Sequence, residues 1–132
     1  MKTSRLYSIA DRDKITVDRT SLKANNSVSL NLSGNLFIAL DSGLTGAKER
    51  VCLAHELGHC ETMSFYNMYS PCDVRGRHEY RANRWAINNL IPHAQYKKAL
   101  RRGYTDIYSL AEYFGVTAEF MQKAVDYYKT QQ

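Results

Sequence analysis

No run of apolar residues in this chain approaches the roughly 20 that a membrane-spanning helix needs. The first residues, Met1-Lys2-Thr3-Ser4-Arg5-Leu6, lack the apolar stretch and the small-residue cleavage site of a secretory signal. A cytoplasmic location is therefore expected. Cysteine is scarce: there are three, Cys52, Cys60 and Cys72, an odd number with no tight pair. That pattern argues against a disulfide framework, and the ordinary fate of such residues is a buried or half-buried thiol. There are only two prolines, no Pro/Gly/Ser linker, no internal repeat and no low-complexity tract. Charge of one sign is also limited. Eighteen Lys and Arg against thirteen Asp and Glu leave +5, and the densest runs are Lys97-Lys98 and Arg101-Arg102. Such short runs read as solvated helix face, and the balance does not by itself demand a nucleic acid.

What remains is an ordinary globular chain. Its 132 residues, 44% of them hydrophobic, suit one domain with a real core. We expect a single domain over 1–132 with three parts: mixed helix and small sheet over 1–46, site-bearing helices over 47–92, and C-terminal helices over 93–132. Leu6, Tyr7, Ile9 and Ala10 fit a first short helix, and Ile15-Thr16-Val17 a short strand. Val28-Ser29-Leu30-Asn31-Leu32 alternates with period two, Ser33-Gly34-Asn35 is a turn signal, and Leu36-Phe37-Ile38-Ala39-Leu40 is a second strand. These predict a small antiparallel sheet with a hairpin. Helices are predicted over 47–61, 77–90, 93–102, 107–114 and 117–128, with 66–76, which holds Pro71, Asp73 and Gly76, as a loop. The fold class is α+β: a small sheet, then a helical bundle.

One segment carries chemistry. His55-Glu56-Leu57-Gly58-His59 lies inside a stretch that reads as helix on other grounds. Histidines four apart share a helix face one turn apart, so both imidazoles can reach one ion. Glu56, beside the first, can hold a water and take its proton without ligating the metal. Gly58 allows another segment close to the helix. A chance His-Glu-x-x-His match in a chain this size should occur well under about once in a hundred. The rival reading is two surface histidines on an amphipathic helix.

A catalytic zinc takes three protein ligands and keeps a fourth position open. Glu61, Asp73, His78 and Glu79 are candidates for the third. Glu79 is favoured because Glu79, Ala82, Asn83 and Ala86 form one stripe, whose small residues can lie against Gly58. Asn83, one turn beyond Glu79, can accept the free N–H of a ligating histidine. His78, Tyr66 and Tyr80 are candidates for stabilising an oxyanion, each with a structural role as its rival reading.

Three segments together resemble a known family: Leu53-Ala54-His55-Glu56-Leu57-Gly58-His59; Glu79-Tyr80-Arg81-Ala82-Asn83-Arg84-Trp85-Ala86 with Leu90-Ile91-Pro92; and Leu110-Ala111-Glu112-Tyr113-Phe114-Gly115-Val116-Thr117 with Phe120 and Tyr127-Tyr128. The chain resembles the ImmA/IrrE metallopeptidases, in particular the short phage and mobile-element versions. The resemblance implies His55, His59 and Glu79 as Zn2+ ligands, Glu56 as the catalytic carboxylate, and a helix-turn-helix repressor as protein substrate. Cleaving it would relieve repression. Many members carry a second Glu where this chain has Arg81.

Ala111, Gly115 and Met121 fall at the offsets of a helix-turn-helix, with Ile107, Leu110, Phe114, Val116, Phe120, Ala124 and Val125 as its core. The second helix offers Gln122 and Lys123 but also Glu119 and Asp126, poor equipment for a phosphate-lined groove. The pair is read as packing and substrate-docking structure, and direct nucleic-acid binding is not expected. The leading expectation is thus a zinc endopeptidase acting on a regulatory protein. The alternatives are a zinc-containing anti-repressor that binds without cutting and a DNA-binding regulator.

Overall fold

The structure is a computed structural model and describes residues 2–66, 70 and 72–131. The order is α1 (Thr3–Arg12), β1 (Thr16–Thr20), β2 (Ser27–Leu32), β3 (Asn35–Asp41), α2 (Gly46–Glu61), α3 (Cys72–Leu90), α4 (His93–Arg101), α5 (Ile107–Phe114) and α6 (Ala118–Thr130). A small three-stranded sheet is followed by helices, as the α+β reading expects.

The hairpin forms where it is predicted, although β2 does not bury alternate residues: Leu30 and Leu32 are both exposed. β2 and β3 pair antiparallel, with Leu32 opposite Asn35 across the turn. Ser33 and Gly34 both take positive φ there, the backbone that a two-residue hairpin turn needs. The first strand differs from expectation. It joins the other side of β3, and it does so parallel, with Val17 opposite Ile38, so the sheet is mixed and its order is β1-β3-β2. The reason is connectivity: residues 21–26 carry the chain past the end of β3, so β2 runs back along the far edge and β3 returns between the two. The central strand then collects the burial, with Ile38 and Leu40 in the core, while β2 is an edge strand.

α2 is the axis of the molecule, touching α1, β2, β3 and α3. Seven of its residues are buried: Leu53, Ala54, Glu56, Leu57, Gly58, His59 and Cys60. A helix enclosed on several sides has little need of a polar face, and its last two turns are apolar or small apart from the chemistry-bearing residues. Arg19 of β1 and Tyr7 of α1 both donate to Glu49 Oε2 on α2, each at 2.7 Å, so one carboxylate ties three elements together.

α3 begins five residues before its predicted start. Of the expected loop over 66–76, residues 67–69 and 71 lie outside the described ones, and 72–76 is helical. Pro71 and Asp73 mark a helix start as readily as a turn. Proline suits the positions just before or at the first turn, and a carboxylate in that turn meets the positive end of the helix dipole. Gly76 is then an interior helix residue with open space where a β-carbon would go.

At the C-terminus, the Asp106 carboxylate accepts the Ser109 N–H at the start of α5, and Thr117 Oγ1 accepts the Phe120 N–H at the start of α6. Gly115 between them has φ +67°, the left-handed conformation expected of a turn glycine. Of the expected core residues, Leu110, Phe114, Val116, Phe120, Ala124 and Val125 are buried, as are Ala111 and Met121, whereas Ile107 is half-buried at the edge of the core. No described helix is long and apolar enough to cross a membrane.

Candidate metal centre

His55 and His59 project from adjacent turns of α2 with their Nε2 atoms 3.2 Å apart. Glu79 reaches them from α3, Oε2 lying 3.0 Å from His55 Nε2 and Oε1 2.9 Å from His59 Nε2. The close approach of α3 depends on small residues. Ala82 and Ala86 are fully buried, and a β-carbon at Gly58 would lie 2.9 Å from Ala82 Cα and nearer still to its carbonyl oxygen. Nothing larger than glycine fits there without the helices parting.

The donor set can be tested for size. Ligand atoms at about 2.0–2.1 Å from a tetrahedral zinc are about 3.3 Å from one another. The three separations here, 2.9 to 3.2 Å, are close to that edge length, so a small shift opens the space for an ion. Among the described residues, this is the cluster of three His, Cys, Asp or Glu ligand atoms that could hold a metal. Glu61, Asp73 and His78, the other candidates for third ligand, are not brought into it. Glu61 meets Asp13 instead, Asp73 lies along a groove with Arg77 and Arg81, and His78 stacks on Tyr66.

The second nitrogen of each ring is also held. His55 Nδ1 is 2.9 Å from Asn83 Oδ1, and His59 Nδ1 is 2.5 Å from the Ser64 carbonyl oxygen. Neither acceptor can donate through that oxygen, so Nδ1 carries a proton on both rings and Nε2 is the atom turned to Glu79, able to offer its lone pair to an ion once its own proton is lost. The Glu79 carboxyl is pushed well below its ordinary range, chiefly by hydrogen bonding to His55 and then to His59. It is ionised, as a ligand must be. Glu56 is buried and accepts from Ser27 Oγ at 2.7 Å through Oε2.

Two of these partners had no signal in the sequence. Ser64 acts through its backbone, which any residue offers. Ser27 reaches Glu56 only because β2 lies against α2. Arg81 is exposed beside Arg77 and Tyr80, away from Glu79.

A groove of about 330 Å³ opens on the cluster, lined on one side by Asn25, Ser27, Val28 and Ser29 and on the other by Phe65 and Tyr66. A second depression shares Ser27, His55 and Glu79 and runs to Cys52, Phe120 and Lys123. Two histidines and a carboxylate at ligand spacing, with a buried second carboxylate in the same groove, form the constellation of a metal-dependent hydrolase. The chain matches the family model described as the IrrE N-terminal-like domain, a peptidase family, over residues 10–126. The chain belongs to this IrrE N-terminal-like peptidase family. Among curated proteins no match is found. The family and the His55–His59–Glu79 cluster together support a metallopeptidase-type protein, and the match spans the sheet, the cluster and most of α6.

Proposed function

We propose that the chain is a zinc-dependent endopeptidase that cleaves a regulatory protein, a helix-turn-helix repressor of a phage or mobile element, and so relieves repression. The observation that carries this reading is the His55–His59–Glu79 cluster set beside buried Glu56 in an open groove. His55 and His59 through Nε2, and Glu79 through its carboxylate, would hold the ion. Zinc supplies Lewis-acid polarisation of the scissile carbonyl and a more acidic water.

The chain's own groups do the rest. Ser27 holds Glu56 Oε2, so Oε1 is left to take the proton of the attacking water and hand it to the departing amine. β2 has a strand on one side only, and its residues 27–29 form the groove wall. A substrate in extended conformation can therefore add main-chain hydrogen bonds along that edge. The N-terminal part of α6 borders the second depression through Thr117, Glu119, Phe120 and Lys123, which supports a docking role for the C-terminal pair. A DNA-reading role is disfavoured: Gln122 is bonded to Asp126 at 2.9 Å, and Glu119 and Asp126 would meet phosphates.

The test is to incubate the zinc-loaded protein with the repressor encoded beside it and map any cut by mass spectrometry. Glu56→Gln should retain zinc and lose cleavage. If wild type leaves the repressor full length but still strips it from its operator, the protein is a binding anti-repressor and the peptidase reading fails.

A further inference from the structure

The hydrolysis just proposed leaves one requirement unassigned: a donor for the oxyanion that develops on the scissile carbonyl. We propose that the Tyr66 hydroxyl is that donor, a catalytic residue for the reaction. The inference rests on the peptidase reading and adds to it.

The position of Tyr66 is set at the end of α2. The helix stops at Glu61, and Met63 turns with φ +49°, its N–H and that of Ser64 returning to the carbonyls of Cys60 and His59. This reverses the chain over the histidines. Ser64 is fully buried, and its carbonyl receives His59 Nδ1. Thr62 Oγ1 donates to the Gly58 carbonyl and lies 2.6 Å from Ser64 Oγ, which pins the same turn. The segment that orients His59 therefore also delivers Tyr66, two residues on, to the groove. There the Tyr66 hydroxyl donates to Glu79 Oε1 at 2.8 Å, the oxygen that also meets His59 Nε2. The ring stacks on His78, with centroids 6.2 Å apart and planes 19° apart, and stands edge-on to His59 at 6.1 Å.

A phenol O–H one hydrogen bond from a ligand oxygen is within reach of a carbonyl oxygen polarised at the same centre. Once Glu79 is engaged with an ion, that proton is free to turn to the incoming oxygen. It is a donor placed before the reaction, as such stabilisation requires. Tyr80, the other tyrosine considered, faces Tyr127 and Arg84 and does not reach the cluster. His78 does not line the groove and serves as the platform on which Tyr66 rests.

The test compares wild type with Tyr66→Phe, which keeps the ring, the stacking and, since Tyr66 is exposed, the fold. Three probes are titrated: zinc alone, a phosphinic dileucine peptide whose tetrahedral phosphinate mimics the oxyanion, and a simple leucine hydroxamate that chelates zinc. The expected result is unchanged zinc binding, hydroxamate affinity within about threefold of wild type, and phosphinate affinity lower on the order of 100-fold. Equal phosphinate affinity in the two proteins overturns the assignment and leaves the peptidase reading standing. A parallel loss of zinc and of both inhibitors would show that Tyr66 only supports Glu79, and also overturns it. Zinc-loaded wild type that binds neither inhibitor overturns the peptidase reading itself, and this inference with it.

Discussion

Asn83 and Gly58 are the residues whose substitution isolates single physical effects at the cluster. Asn83 supplies the acceptor that fixes the His55 tautomer, at 2.9 Å. Asn83→Ala should keep the fold and weaken zinc binding about 10- to 100-fold, read by competition with a chromogenic chelator. Gly58 is where α2 and α3 nearly touch, with no room for a β-carbon against the Ala82 backbone. Gly58→Ala should cost about 1–3 kcal/mol in urea unfolding, because backbone rather than a flexible side chain must move. It should also lower zinc affinity, since the displaced helix carries Glu79. A Gly58→Ala protein of unchanged stability would mean that the helices are held apart by something other than this contact.

At the scale of elements, the ends of α1 and α2 share a titrating pair. Glu61 is pushed up to about 7, first by burial and then by hydrogen bonding to Asp13, while Asp13 is pulled down to about 2, first by its hydrogen bond from Arg12. The Glu61 carboxyl is thus favoured in its protonated form beside ionised Asp13. Glu61 is raised above its ordinary 4.5, so its contribution is complete below that value and is lost as pH rises through about 7. Asp13 acts oppositely, contributing above 3.8 and losing that contribution as pH falls through about 2. The urea midpoint of metal-free protein should therefore fall between about pH 4.5 and 7, and Glu61→Gln should flatten that fall. Identical pH profiles for the two proteins would remove the pair as the cause.

The α5–α6 turn offers a second element-scale check. Gly115 has φ +67°, and its carbonyl accepts from Arg50 of α2, which joins the C-terminal pair to the site helix. Gly115→Ala should destabilise by about 1–2 kcal/mol in urea unfolding, the cost of a left-handed non-glycine residue.

For the whole molecule, a metal that binds the folded chain and not the unfolded one links function to stability. His55 and His59 come from α2 and Glu79 from α3, so unfolding disperses the ligands. At a hundredfold excess over its Kd, zinc should add about 2.7 kcal/mol, which for a chain of this size raises Tm on the order of 10 °C. Excess EDTA should reverse the shift, and His59→Ala should abolish it. Scanning calorimetry with and without zinc decides the matter. A Tm indifferent to zinc in wild type would show that the cluster does not bind zinc.

Much of this architecture was legible in the amino-acid order because its causes are local. The hairpin follows from the turn signal Ser33-Gly34-Asn35 between two strand-forming runs, and α5 and α6 from a capping residue, a turn glycine and an apolar stripe. His55 and His59 share a face because four residues make about one helical turn, and Asn83 follows Glu79 by the same spacing. What only the tertiary structure decided is non-local. β1 pairs parallel with β3 because the connection over 21–26 crosses the sheet end, a choice that no side-chain period encodes. α3 begins at Cys72, ahead of its predicted start, because Asp73 in the sequence suits a helix's first turn as well as a loop. The Ser64 carbonyl, the Ser27 hydroxyl and the Tyr66 hydroxyl meet the cluster through a chain reversal and a sheet packed on α2. Spacing along one helix could place two imidazoles side by side; only packing could bring a carboxylate from another helix within 3.0 Å of them.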